Sequence, residues 1–134
     1  AYPESKFELA TEEGKMYING VPEYVAQLLD KLAANAVEFS YSDQPIVFHC
    51  RTLRDHILVR VYNAGPYLPE EMKDRVFESM ISVRPQEKQK EPHLGMGLHI
   101  ARLIAEYHGG SIRAENRIDV EGVSIGVVFP KFYK

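Results

Sequence analysis

The strongest constraint on this chain is a change of hydrophobic period. Val25, Leu28, Leu29, Leu32 and Ala36 recur at helical spacing behind Pro22, a residue suited to the first turn of a helix. Past Ser40 and Pro45 the period becomes that of strands, over residues 46–50 and 56–62, with the polar link 51–55 predicting a hairpin. A hairpin precludes an all-parallel sheet. Earlier strands are expected at 6–9 and 15–18, joined by a turn over 11–14, and later ones at 111–114 and 123–129. A short helix is expected from Pro69, with Glu70 and Glu71 in its first turn, where negative charge suits the helix dipole. A longer helix follows, with Ile100, Leu103, Ile104 and Tyr107 on its apolar side and Gly109-Gly110 as its stop. These elements predict a two-layer α/β sandwich, a mixed, mostly antiparallel sheet packed under three helices.

With 134 residues there is room for one domain, spanning 1–134. The chain opens Ala1-Tyr2-Pro3 without a Met and is expected to be a fragment of a longer protein. A net charge of −3 has the wrong sign for a general nucleic-acid binder. Cys50 is the single cysteine and cannot pair within the chain, so a reducing, cytoplasmic setting and a buried thiol are expected. No apolar run approaches the ~18 residues of a membrane span, and the N-terminal residues do not resemble a signal peptide.

Three places can carry chemistry. Asn35 interrupts a helix although its amide competes with helical hydrogen bonding. It shares one edge of the apolar stripe with Lys31 and Glu38, and an amide oxygen there can serve as a hard ligand for Mg²⁺; the plainer reading is a solvated or capping residue. Asn63-Ala64-Gly65-Pro66 follows a strand directly, either as an ordinary tight turn or as a hydrogen-bonding group with a close ligand approach at Gly65. Gly95-Met96-Gly97-Leu98 enters the longer helix behind a polar stretch over 82–93 that looks mobile, and N–H groups at such an entry can hold phosphate.

In this order the elements resemble the ATP-binding module of the GHKL superfamily, most closely the catalytic and ATP-binding domain of sensor histidine kinases. Residues 28–36 are similar to its N box, 61–69 to the G1 box, 75–80 to the F box, 93–98 to the G2 box and 122–130 to its last strand. Residues 78–84 also resemble kinases of the proteobacterial dedicated sortase system. The resemblance implies a Bergerat fold holding ATP and Mg²⁺. Asn35 would hold the metal, Asn63 would face the adenine amino group, and Gly65 and Leu68 would shape the adenine floor. Phe77 would anchor the near end of a lid whose Arg84 reaches the γ-phosphate. Leu94, Gly95, Met96, Gly97 and Leu98 would close over the phosphates, and Ser124 would lie beside adenine.

The sequence departs from the family pattern at named positions. Asn63 stands where the family has aspartate, and Tyr67 where it has a second glycine. Glu38 replaces a frequent Lys or Arg, for which Lys31 can substitute, and His93 replaces the first G2 glycine. Restoring aspartate at 63 is expected to tighten ATP binding about tenfold through a charge-assisted bond. GHKL hydrolases place a glutamate one turn before the metal asparagine; here that residue is the cation Lys31, which favours phosphate transfer over hydrolysis. His49, His56, His93, His99 and His108 all lack the context of a phosphoacceptor. The resemblance therefore implies an acceptor histidine on an upstream dimerisation domain, a homodimeric full-length protein, a response-regulator partner, and a cytoplasmic domain of a parent anchored in the bacterial inner membrane. The competing class is a non-catalytic nucleotide-sensing or protein-interaction module, suggested by the altered G1 box.

Overall fold

The computed structural model describes residues 7–11, 17–41, 43–73, 75–78 and 96–132. Its sheet is ordered β1-β2-β3-β5-β4. β1 (Phe7–Thr11) lies parallel to β2 (Ile46–Leu53), whereas β3 (His56–Ala64), β5 (Gly122–Pro130) and β4 (Ser111–Asn116) join by antiparallel pairing. The sheet is thus mixed and mostly antiparallel, as expected. Helices α1 (Pro22–Phe39) and α2 (Met96–Tyr107) cover one face, and the short helix expected from Pro69 takes the form of two 3-10 turns, Glu70–Met72 and Arg75–Phe77.

α1 buries the stripe its sequence announces. Leu28, Leu32 and Ala36 are closed off from solvent against Val61, Ile125, Val127 and Phe129 of the sheet. Full burial of each large aliphatic side chain contributes about 1.5–3 kcal/mol, so this face fixes α1 on the sheet. α2 is rotated from the expected face. Leu98, Ala101, Ile104 and Ala105 are buried, while Leu103 and Tyr107 are exposed. The small alanines let the helix backbone approach α1 and β4, which turns the larger Leu103 and Tyr107 outward. Gly109 ends α2 with φ +79, a left-handed conformation that a side chain would strain, and Gly110 N–H donates to the Ala105 carbonyl at 2.9 Å.

The two helices are joined where α1 begins. Val21, before the first turn, has no side-chain cap of its own. Its N–H donates to His108 Nε2 at 3.1 Å, while His108 Nδ1 donates to the Ile104 carbonyl at 2.8 Å. An imidazole from the end of α2 thereby satisfies an orphan donor at the start of α1.

Other strand expectations shift in length. β2 and β3 extend to a two-residue turn at Arg54 and Asp55, with Arg54 at φ +47, because Thr52 and Leu53 pair with Ile57 and His56. Arg54 carries none of the Asn or Gly signal that usually marks such turns. Of the strand expected over 15–18, Tyr17 and Ile18 are not in a strand, and residues 15 and 16 lie outside the described residues. Ile18 packs against the core and the Tyr17 carbonyl accepts from Phe132 N–H at 2.7 Å, so the segment is held by isolated contacts rather than a ladder. Cys50 is half-buried, and burial raises its thiol pKa, as befits an unreactive structural thiol.

Candidate functional site

Between α1 and the end of β3 lies a cavity of about 220 Å³. Asn35 and Phe39 of α1 form one wall, and Asn63 with the loop 66–69 forms another. Val76 and Leu98 close it from the helical side, and Ala114, Val123 and Ile125 supply an apolar sheet floor. A largely apolar cavity with two carboxamides is the usual chemistry of a small-molecule site, in which few polar groups fix the ligand's orientation.

Local geometry explains why Asn63 and Gly65 occupy their positions. Phe39 is the last residue of α1, so its carbonyl has no partner within the helix. Asn63 Nδ2 donates to that carbonyl at 3.3 Å; an acceptor facing an acceptor would repel, so the amide nitrogen must point there and Oδ1 is turned away. A Cβ at Gly65 would lie 1.9 Å from the same carbonyl oxygen. Gly65 is therefore required by the approach of β3 to the end of α1, and it sits behind the cavity rather than in its wall.

Of the residues singled out in the sequence, Asn35, Asn63, Tyr67, Leu68 and Leu98 line this one cavity. Asn63 is buried, whereas Tyr67 is half-exposed at the rim. Lys31 packs its stem against the start of α2, its Cδ lying 3.5 Å from where a Gly97 Cβ would be. Lys31 is not among the residues that line the cavity; its stem lies beside the first turn of α2, which begins at Met96. Phe77 is buried beneath, and its carbonyl lies 3.3 Å from His99 Nδ1 on α2. Arg84, Leu94, Gly95 and the stretch 82–93 lie outside the described residues, as do positions 79–84 of the sortase-system likeness.

Ser124 does not join the cavity. The register pairs Asn63 with Val123 and Tyr62 with Ser124, so Val123 and Ile125 face inward and Ser124 faces the opposite side of the sheet. There it lines a separate hollow of about 590 Å³ with Arg60, Tyr62 and Arg117. The sequence held the signal: Val123, Ile125, Val127 and Phe129 alternate with Ser124, Gly126 and Val128, and the wholly apolar set belongs to the core. Phe39, Ala114 and Val76 could not be found that way, because their placement depends on where helix and strand ends meet.

The profile of the family described as "Histidine kinase-, DNA gyrase B-, and HSP90-like ATPase" matches residues 20–132. The chain belongs to that family. It is 37% identical over 113 residues to the sensor protein ChvG of Agrobacterium fabrum, a match covering 84% of this chain and 19% of that protein. It is 34% identical over 109 residues to the sensor protein VanSC of Enterococcus gallinarum, covering 81% and 29%. The chain therefore spans less than a third of the curated relatives it matches. Among solved structures, the nucleotide-free catalytic domain of histidine kinase ThkA superposes with a TM-score of 0.81 at 29% identity, over 96% of this chain and 80% of that one. The α/β sandwich is that of histidine kinase catalytic domains. ATP binding belongs to this ATPase family.

Mg²⁺ fits the same site. Asn35 offers one hard oxygen at the cavity wall, and among the described residues no three His, Cys, Asp or Glu converge on a metal position. One amide oxygen completed by phosphate oxygens and water is the coordination Mg²⁺ accepts readily.

Proposed function

We propose that the chain is the ATP-binding part of a sensor histidine kinase, residues 1–134 forming one domain that binds Mg²⁺-ATP and transfers the γ-phosphate to a histidine on an upstream dimerisation domain. The observation that carries this reading is the convergence of Asn35 and Asn63, from separate elements, on one apolar cavity beside the start of α2. In this reading adenine lies against Leu68, Val123 and Ile125, with Asn63 Oδ1 accepting from its amino group. Triphosphate extends toward the α2 N-terminus and Lys31. Asn35 would be the protein ligand of Mg²⁺, which when bound would supply charge neutralisation at the phosphates. Lys31 offers no base for water, which supports transfer over hydrolysis. The reading assigns Arg84, Leu94, Gly95, Met96 and Gly97 to the phosphates on the resemblance of their sequence positions to the family pattern.

The ThkA kinase has been solved in complex with its response regulator TrrA, at 28% identity and a TM-score of 0.76 to this chain. That similarity supports a response-regulator partner here. The proposal extends to a homodimeric parent anchored in the bacterial inner membrane, with this domain in the cytoplasm; the similarity to sensor proteins supports that extension. No described helix is long and apolar enough to cross a membrane. Calorimetric titration with ATP, with and without Mg²⁺, tests the reading. Saturable Mg²⁺-dependent binding that Asn35→Ala reduces about tenfold, with the fold retained by circular dichroism, is expected. Silence at millimolar ATP would leave the chain a non-catalytic interaction module.

A further inference from the structure

The geometry points to Asn116 as a positioning residue of the nucleotide site, acting through Leu68. Asn116 is the last residue of β4 and pairs with Val123, so it falls on the same face as Ala114. Its carboxamide grips a segment 48 residues away in sequence. Oδ1 accepts from Leu68 N–H at 2.7 Å and Nδ2 donates to the Leu68 carbonyl at 2.9 Å. Both bonds lie well inside hydrogen-bond geometry, and together they imitate one rung of a β-ladder beyond the strand's end.

Leu68 needs such a partner. It sits in the loop 66–69, outside any helix or strand, and its neighbours at 66 and 69 are prolines without an N–H. Tyr67, beside it, is half-exposed, whereas the Leu68 side chain is buried at the cavity wall. One side chain on β4 thus sets where the cavity's loop wall stands relative to its sheet floor. The amide is chemically specified: a carboxylate has no donor for the Leu68 carbonyl, and a hydroxyl cannot serve both backbone groups at this spacing.

This inference rests on reading the cavity as the ATP site. The 134-residue chain is tested in three forms, wild type, Asn116→Ala and Asn116→Asp, by calorimetry with Mg²⁺-ATP and by hydrogen exchange at the Leu68 amide. In Asn116→Ala, exchange at Leu68 accelerates and ATP affinity falls about tenfold while the thermal midpoint moves by only a few degrees. Asn116→Asp matches Asn116→Ala at about pH 8. Its affinity relative to wild type recovers as pH falls to about 4, the ordinary titration range of an aspartate, because a protonated carboxyl can again donate to one Leu68 group and accept from the other. A purely structural loss of packing produces no such recovery, and the recovery carries the test alone if Asn116→Ala fails to fold. Wild-type ATP affinity in Asn116→Ala, unchanged Leu68 protection, or an Asp variant without pH recovery overturns the role of Asn116. A wild type that binds no ATP overturns the nucleotide reading itself, and this role with it.

Discussion

The two faces of the central sheet carry neighbouring residues to opposite ends. On the inner face, Asn63 is buried and tied to the Phe39 carbonyl, with Val123 and Ile125 beside it in a largely apolar cavity. One residue away on the outer face, Tyr62 has Arg117 5.3 Å and Arg60 6.0 Å from its ring centre. Arg117 is in turn paired twice with Asp119, at 3.0 and 2.7 Å. The inner polar group is held by backbone and leaves capacity for a ligand. On the outer face Arg117 is paired with the exposed Asp119, whereas Arg60 Nε is buried with no hydrogen-bond partner among the described residues. A polar residue signals a ligand site when the fold surrounds it with apolar walls, not when it is merely charged.

The sharpest way to break this contrast is Gly65→Ala. Its Cβ would meet the Phe39 carbonyl at 1.9 Å, so β3 and the end of α1 must separate, costing about 3 kcal/mol. Thermal unfolding reads this loss, and ATP affinity should fall with it. A smaller effect is expected of Asn63→Asp, for which the sequence alone anticipates tighter ATP binding. The structure opposes that gain. The carboxylate would face the Phe39 carbonyl in place of a donor, leaving a buried acceptor unpaired at a cost of about 1–3 kcal/mol. Lower stability is therefore expected with no tenfold gain in affinity, and calorimetry beside urea unfolding separates the two quantities.

The smallest effects belong to the outer face. Ser124→Ala and Asp119→Asn should leave ATP affinity within about twofold, since neither touches the cavity. Asp119 does have a pH signature. Its hydrogen bonds from Arg117 hold the carboxyl pKa down at about 2, below its unfolded value. The stabilisation is present above the unfolded pKa of about 4 and is lost as pH falls through the folded one. Any stability difference between wild type and Asp119→Asn should therefore shrink between about pH 5 and 2, as urea midpoints would show.

Much of this was legible from the chain. The stripe of α1 and the hairpin of β2 and β3 rest on local periodicity, which survives packing. Leu103 and Tyr107 misled because large apolar side chains outscore Ala101 and Ala105, although the alanines permit closer helix contact. Asn35 and Asn63 were found by position, but their meeting in one cavity is tertiary. The grip of Asn116 on Leu68 spans 48 residues and has no local pattern at all. Ser124 stands one residue from Val123 and Ile125, and in a strand one residue is the whole thickness of the sheet.

The imidazole joining the two helices has a spectroscopic consequence. Because Val21 offers a hydrogen and the Ile104 carbonyl requires one, the ring of His108 must carry its proton on Nδ1. That is the less common tautomer of a free neutral imidazole, and its ring nitrogens resonate at distinct frequencies. Nitrogen NMR of His108 in the ¹⁵N-labelled protein therefore reports, without any ligand, whether α1 and α2 remain joined at the end of the domain remote from the cavity.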